Sequence, residues 1–181
     1  MIEVIHEHSV CLDLLPAKAV IADIGCRGFA FTNHFRELGH TVHAIDIDDL
    51  QHGDYDQCAI AGWTGLCGIS RNNDPQATKI GPGENVRCYT LKDYMKSKGV
   101  EFYDLIKSDI EGAEYAMIMN LEKAPAKQLS VEFHMHCGQT LLQVNEMVAT
   151  LVSLGYRPVT HEYTTMHGAG FNYWQSLFIL K

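Results

Sequence analysis

The sequence predicts an α/β fold in which a mostly parallel sheet of seven strands ends in an antiparallel strand and carries helices on both faces. Three observations favour this fold. Short apolar segments of strand character alternate with helical segments along the 181 residues, as they do in parallel sheets. The first clear strand leads directly into a glycine turn and a helix. The last two strand-like segments are joined by a short connection that contains glycine, which predicts an antiparallel pair.

The elements of the first half follow from apolar runs and from the residues that end them. Residues 9–15 are predicted as a short helix that stops before Pro16, because the residue before a proline disfavours helix. We then predict strand 20–24, helix 29–38, strand 41–47 and strand 58–63. Residues 64–85 are rich in Gly, Asn and Pro, which favours turns. They are compatible with a loop over the site or with an inserted hairpin.

The second half continues the alternation. We predict a short strand 86–89, a helix that Thr90 caps, strand 103–109, a helix that opens at 112–114, strand 129–134, a helix that ends at Gly155, and strands 157–163 and 173–180. Threonine is a good N-cap, and a glycine after the last helical residue is a usual end signal. At this length we expect a single domain that covers residues 1–181.

The composition argues against several classes of protein. A formal net charge of −8 argues against nucleic acid as the main partner. No apolar run approaches the length of a membrane span, and the N-terminus lacks the basic and apolar regions of a signal peptide. The six cysteines are scattered and form no Cys-x-x-Cys pair, which favours reduced thiols in a cytoplasmic protein.

The glycine turn after the first strand predicts a nucleotide-cofactor site. It runs Asp23-Ile24-Gly25-Cys26-Arg27-Gly28, and the next strand ends in Asp46, an acid that can accept hydrogen bonds from ribose hydroxyls. In a dinucleotide fingerprint, glycine stands where Asp23 stands here, and the pyrophosphate lies on the helix N-terminus. A carboxylate would repel a pyrophosphate but suits an ammonium and a sulfonium. The pattern therefore favours S-adenosylmethionine over NAD.

Acids and histidines collect at the same sheet edge, where open α/β sheets bind their ligands. Asp109 ends strand 103–109 and Glu111 follows it, while Glu132 and His134 end strand 129–134. We predict these four as catalytic residues. His134 is the first choice of general base, because imidazole titrates near neutral pH. The predicted cofactor-binding residues are Asp23, Gly25, Cys26, Gly28, Asp46, Ile47 and Asp109.

The same cluster also permits a metal site. Residues two apart on a strand share a face, so Glu132, His134 and His136 are candidate ligands together with Asp109, and carboxylates with imidazoles bind divalent ions. We do not favour a bound metal, because polar groups in clefts are often substrate contacts.

The remaining acids and histidines have ordinary explanations. Asp48 and Asp49 are expected to be solvated cap residues, and Glu114 is expected to be a structural acid in the first turn of a helix. The other histidines are expected at the surface or in packing, and they are His6, His8, His40, His43, His52, His161 and His167.

Over residues 20–136 the chain resembles FkbM-type S-adenosylmethionine-dependent methyltransferases. The resemblance rests on Asp23-Ile24-Gly25-x-x-Gly28, Thr90-Leu91-Lys92-Asp93, Lys107-x-Asp109-x-Glu111-Gly112-Ala113-Glu114 and Val131-Glu132-Phe133-His134. It implies a Rossmann-like class I methyltransferase fold, S-adenosylmethionine as donor, and O-methylation of a hydroxyl on a sugar or natural product.

The resemblance also implies roles for individual residues. Asp23, Gly25 and Gly28 carry over as the methionine-side loop, Asp46 as the ribose acid, and Asp109 and Glu111 as site residues. The second strand ends Asp46-Ile47-Asp48, where the family commonly has Glu-Pro. The acceptor is expected to be a small molecule or a glycan. No extra domain is evident to enclose it, so a neighbouring subunit of a homo-oligomer is one way to complete the pocket.

Three alternatives stay open. An NAD-dependent oxidoreductase would share the fold and Asp46. A metal-dependent hydrolase would use the acids and histidines at the sheet edge, namely Asp109, Glu111, Glu132, His134 and His136. A non-catalytic protein of the same fold would bind a partner instead.

Overall fold

The structure, a computed structural model, describes residues 1–51, 53–71, 78–166 and 171–181. Its strands are β1 Ile2–Ile5, β2 His8–Cys11, β3 Val20–Ile24, β4 Thr41–Asp46, β5 Asp56–Gln57, β6 Ala59–Ala61, β7 Gly65–Arg71, β8 Thr78–Thr90, β9 Tyr103–Ser108, β10 Ala126–His134, β11 Tyr156–Met166 and β12 Phe171–Leu180. Its helices are α1 Ala30–Glu37, α2 Leu91–Ser97, α3 Glu114–Met119 and α4 Leu141–Ser153.

The main sheet has seven strands in the order β5-β4-β3-β9-β10-β12-β11. The strands from β5 to β10 are mutually parallel, and β12 runs antiparallel to both of its neighbours. The carboxyl ends of the five parallel strands therefore meet at one edge of the sheet. This arrangement agrees with the α/β sheet that the sequence predicts.

Alternating side chains of the central strands pack into two layers. Ile21 of β3 faces a layer that contains Phe31 and Phe35 of α1. Ala22 and Ile24 face the opposite layer, which α2, α3 and α4 cover. Both faces are buried, as parallel strands require, and the helices lie on both sides of the sheet as predicted.

The N-terminal segment is a β-hairpin, and the helix predicted at residues 9–15 is wrong. His8 and Val10 are buried while their neighbours on β2 are only partly so, which is the period of two that a strand shows. Val10 and Ile5 pack against the α1 face of the sheet. The buried Gln128 of β10 pairs with the backbone of Cys11, its Oε1 accepting at 2.9 Å and its Nε2 donating at 3.1 Å. Only Leu12–Leu14 turns helically, as a short 3-10 helix.

The strand predicted at 58–63 lies outside the main sheet. The two-residue β5 takes the edge position beside β4, and the amide of Cys58 still donates to the Asp46 carbonyl at 2.9 Å. The chain then leaves that sheet, and β6 pairs in parallel with β8.

Residues 64–85 form most of a long antiparallel hairpin rather than a plain loop. Strand β7 pairs with β8, with a register shift between Cys67 and Gly68. The predicted strand 86–89 is the end of β8, and Thr90 caps α2 by accepting from the Asp93 amide at 3.1 Å. Residues 72–77, between β7 and β8 in the sequence, lie outside the described residues, as do His52 and His167.

None of the helices in the described part of the chain combines the length and the apolar character that crossing a membrane requires.

Candidate active site

Gly25 allows the turn after β3 to pass over the end of β9. Its φ angle is +84°, in the left-handed region that favours glycine. A Cβ atom at this residue would lie 1.8 Å from the carbonyl oxygen of Asp109. The amides of Gly25 and Cys26 both donate to the Ile45 carbonyl, at 2.8 and 3.0 Å. The first glycine of the predicted turn therefore brings the ends of β3, β4 and β9 together.

Asp23 is not a free negative charge. Its Oδ1 lies 3.0 Å from the Lys107 ammonium, and Thr32 donates to its Oδ2 at 2.6 Å. Lys107 also donates to the Gly25 carbonyl at 2.6 Å. Burial lowers the pKa of Lys107, but the charges of Asp23 and Asp109 raise it by more, so the lysine stays protonated. Lys107 therefore already neutralises Asp23. The expectation that the charge of Asp23 attracts the cofactor's cations needs correction for this reason.

The other loop residues have distinct environments. The Cys26 side chain is buried beside Phe29 and Ala44. Burial, followed by the charges of Asp23 and Asp46, raises the pKa of its thiol, which stays neutral. Gly28 has a φ angle of +76° and no atom near its missing Cβ, so its role is to let the chain turn before α1.

Asp46 ends β4 and is only 7% exposed. Its Oδ1 accepts from the Asp48 amide at 2.9 Å, and burial raises its pKa. Asp48 is also buried, so the expectation of a solvated cap is wrong. Thr78 of β8 donates to its Oδ2 at 2.5 Å, and a hydrogen-bonded carboxylate can be buried at low cost.

Two cavities meet at the turn after β3. We call the first the apolar cleft, and its wall includes Ile45, Asp46, Ile47, Ile60, Thr78 and Ile80. We call the second the polar cavity, and its wall includes His8, Asp109, Glu111, Glu132, His134 and His136. Gly25, Arg27, Asp109 and Glu111 line both. Every predicted site residue except Gly28 lines one of these cavities, with Asp46 and Ile47 on the apolar cleft and Asp23 and Cys26 on the polar cavity.

His134 is surrounded by carboxylates. It is 1% exposed, and its Nδ1 donates to Glu114 Oε1 at 2.8 Å. Its Nε2 lies 3.2 Å from Asp109 Oδ1, 3.4 Å from Glu132 Oε1 and 3.8 Å from Glu111 Oε2. Burial lowers the pKa of His134, but Glu114, Asp109 and Glu132 raise it by more, to well above its ordinary value. An imidazole that already holds two protons accepts no third, so this arrangement does not favour His134 as the general base.

Asp109 is held as a carboxylate. Burial raises its pKa, but Lys107 and the hydrogen bond from His134 lower it by more, so the pKa lies well below its ordinary range. Its Oδ2 lies 3.6 Å from the Lys107 ammonium. Asp109 is therefore a negatively charged group at the centre of the site.

Glu111 and His136 extend the cluster. Glu111 has a φ angle of +52°, and its Oε2 lies 3.3 Å from His136 Nε2 and 3.0 Å from the Cys137 thiol, which donates to it. Strand β10 ends at His134, and Met135–Cys137 forms a 3-10 turn. The prediction that His136 shares a strand face with His134 is therefore wrong, although the turn still directs His136 to the cluster.

Sequence reasoning missed three contributors to the site. Lys107 binds the loop, and its signal was a lysine inside a buried strand. Glu114 was expected to be only a structural acid, but it orients His134 and also accepts from the amides of Ile110 and Gly112, at 2.9 Å each. His8 comes from the N-terminal hairpin, and the alternation of buried residues on β2 was its only signal.

The comparisons with known proteins concern the family and the fold of the chain. The model of the methyltransferase FkbM domain matches residues 23–158. A comparison with curated protein sequences gave no significant match.

Solved structures share the fold. The TehB-like SAM-dependent methyltransferase of Corynebacterium glutamicum is similar at a TM-score of 0.50 and 14% identity, over 93% of this chain and 84% of that one. The fibrillarin pre-rRNA processing protein of Methanococcus jannaschii is similar at a TM-score of 0.50 and 14% identity, over 95% and 71%. The predicted class I methyltransferase fold is confirmed, and because the family model covers most of the chain, the protein belongs to the FkbM methyltransferase family.

Proposed function

We propose that the protein transfers a methyl group from S-adenosylmethionine to a hydroxyl of a small-molecule or glycan acceptor. One observation carries the proposal. The apolar cleft and the polar cavity meet at Gly25, Arg27, Asp109 and Glu111, so a donor in the first would face an acceptor in the second. Holding two reactants in this way is the main contribution that an enzyme makes to methyl transfer.

The residues of the apolar cleft fit an adenosine. Ile47, Ile60 and Ile80 offer apolar surface to a purine. Within the described residues, Asp46 Oδ2 accepts no hydrogen bond, since only Oδ1 bonds to the Asp48 amide, and it can accept from a ribose hydroxyl. The cleft measures about 80 Å³, less than most small-molecule pockets. We therefore expect the wall of Thr78 and Ile80 to move outward on binding.

The polar cavity fits a hydroxyl-rich acceptor. It measures about 510 Å³, within the usual range for small-molecule sites. Its carboxylates and imidazoles form hydrogen bonds with hydroxyls. The negative charge of Asp109, Glu111 and Glu132 disfavours phosphorylated or carboxylated acceptors, so we infer a neutral acceptor, such as a sugar or a polyol.

The chain's residues supply alignment and a proton acceptor. When bound, S-adenosylmethionine supplies an electrophilic methyl group on a sulfonium. The acceptor oxygen takes the methyl group, the electron pair of the carbon–sulfur bond stays with sulfur, and the hydroxyl proton passes to a base. Because His134 is already charged and the pKa of Asp109 lies well below its ordinary range, we assign the base to Glu111 or Glu132.

We infer the cellular compartment of the protein from the state of its cysteines. All six cysteines are free, and four of them are buried. Free thiols persist in reducing compartments, which supports a cytoplasmic enzyme.

Calorimetric titration with S-adenosylmethionine, S-adenosylhomocysteine and NAD, in a buffer that contains EDTA, tests the donor. We expect saturable binding of both adenosyl compounds and none of NAD. Asp46→Asn should weaken binding about tenfold, because it removes the charged acceptor for the ribose. Asp49→Asn, a matched change on the exposed neighbour, should leave affinity unchanged. Folded protein that binds neither adenosyl compound would refute the proposal, and tight NAD binding would favour an oxidoreductase.

A further inference from the structure

The N-terminal hairpin brings a second buried imidazole into the polar cavity. His8 is 3% exposed and its ring packs edge-on against Phe31, with centroids 5.8 Å apart. Its Nδ1 lies 3.5 Å from the Ser130 hydroxyl. Its Nε2 faces Asp109 Oδ2 at 3.8 Å, which is longer than a hydrogen bond. This nitrogen therefore faces Asp109 from the wall of the polar cavity.

The imidazoles of His8 and His134 are oriented in the same way. In each, Nδ1 faces an oxygen of the protein, Ser130 Oγ or Glu114 Oε1, and Nε2 faces Asp109. Histidines that bind metal ions use one ring nitrogen for the ion while the other is held by a carboxylate or another acceptor. The Glu114–His134 contact has this carboxylate–histidine form.

Two groups of possible metal ligands share Asp109: one contains His8 and Glu132, and the other contains Glu111 and His134. His134 Nε2 lies 3.2 Å from Asp109 and 3.4 Å from Glu132, and His8 Nε2 lies 3.8 Å from Asp109. Ligand atoms about 2.1 Å from an ion in a tetrahedral arrangement lie about 3.4 Å apart. His8, Asp109 and Glu132 can each offer one atom so that all three lie within 4.8 Å of one another.

The charge of the cluster also favours a cation. Four carboxylates lie around His134, those of Asp109, Glu111, Glu114 and Glu132. Lys107 is shared between Asp109 and the buried Asp23, so it does not balance the cluster alone. A divalent cation would offset the excess negative charge.

We propose that this cluster binds one divalent first-row transition-metal ion, with Asp109, Glu132 and the Nε2 atoms of His8 and His134 as ligands. Mixed imidazole and carboxylate donors favour Mn²⁺, Fe²⁺ or Zn²⁺ over Mg²⁺ and Ca²⁺. The site itself does not depend on methyl transfer. Its role rests on the proposed function. The ion would replace the Nε2 proton of His134, hold the acceptor hydroxyl beside the donor and stabilise the oxygen as its proton passes to Glu111, the candidate base that is not a ligand.

Titration of EDTA-treated, dialysed protein with MnCl₂, with free Mn²⁺ followed by electron paramagnetic resonance, tests this site without any methyl donor. We expect one Mn²⁺ per chain, displaced by Zn²⁺ and not by an equal concentration of Mg²⁺. His8→Gln and Glu132→Gln should each weaken Mn²⁺ binding about tenfold or more. His34→Gln, on α1 and outside both cavities, is the matched histidine control and should bind as the unchanged protein does.

Two results would overturn the proposal. One is that the unchanged protein, folded by circular dichroism, takes up neither Mn²⁺ nor Zn²⁺. The other is that Mn²⁺ binds equally well to the unchanged protein, His8→Gln and Glu132→Gln. If His8→Gln does not fold, Glu132→Gln decides alone. The donor is tested separately by the titration in EDTA, so failure of the metal site and failure of the methyltransferase proposal are distinguishable.

Discussion

Lys107 and Asp23 form the buried ion pair on which the turn after β3 depends. Lys107 bonds to the carbonyl of Gly25 and lies 3.0 Å from Asp23, so one ammonium holds both the first residue of the motif and its glycine. Removing one member of such a pair leaves a buried charge without compensation, which costs far more than removing both.

Lys107→Met should therefore lower the free energy of unfolding by about 3–5 kcal/mol, and Asp23→Asn with Lys107→Met should restore much of that loss. Urea denaturation of the two single variants and the double variant measures the coupling. Costs that simply add would show that the two side chains do not act as a pair.

Gly25 is the residue where the backbone geometry admits no side chain. Gly25→Ala should lower the free energy of unfolding by more than about 3 kcal/mol and abolish binding of S-adenosylhomocysteine, because the new methyl group meets the Asp109 carbonyl. Gly39→Ala is the matched control. Gly39 has a similar φ angle of +86° and no atom within 4 Å of its missing Cβ, so it should cost only about 1–2 kcal/mol. Equal losses in urea denaturation would show that φ alone, and not the close approach, requires glycine at residue 25.

Among the elements, the N-terminal hairpin contributes one wall of the polar cavity. Strand β2 lies against β10 and β12 and carries His8 into the polar cavity. The family model begins at residue 23, so this wall of the cavity lies outside the matched region.

Paired substitutions in the hairpin test whether it packs as described. Val10 is fully buried, whereas Val4 is 70% exposed. Val10→Ala should cost about 2 kcal/mol of unfolding free energy, for two lost methyl groups and the cavity they leave. Val4→Ala should change it by less than about 0.5 kcal/mol. If both cost the same in urea denaturation, the hairpin does not pack on the sheet as described.

Across the whole molecule, ligand binding should stabilise the fold, because β3, β4, β6, β8 and the segment that follows β9 all contribute to the wall of the cleft. S-adenosylhomocysteine at 100 times its dissociation constant should raise the free energy of unfolding by about 2.7 kcal/mol. Denaturation curves at that concentration should show a smaller rise for Asp46→Asn, and NAD at the same concentration should give none. A rise that is unchanged in Asp46→Asn would remove Asp46 from the cofactor site.

The parallel sheet, the glycine turn and the acids at the strand ends could all be predicted from the sequence. These depend on local features: an apolar run of strand length, a glycine, and the residue at which a strand ends. The same features predicted that Asp46, Asp109, Glu132 and His134 meet at one edge, because parallel strands share the direction of their carboxyl ends.

The charge states and the outer walls of the site depend on how the folded chain brings distant residues together. Asp23 is neutralised by Lys107, which lies 84 residues further along the chain. His134 is kept protonated by the carboxylates of Asp109 and Glu114, which precede it by 20 residues or more. The N-terminal hairpin pairs locally but is buried through distant contacts of β2 with β10 and β12, and β8 of the second hairpin also pairs with β6. Pairing between distant residues leaves no periodic pattern in the sequence, so these features became visible only when the chain was folded.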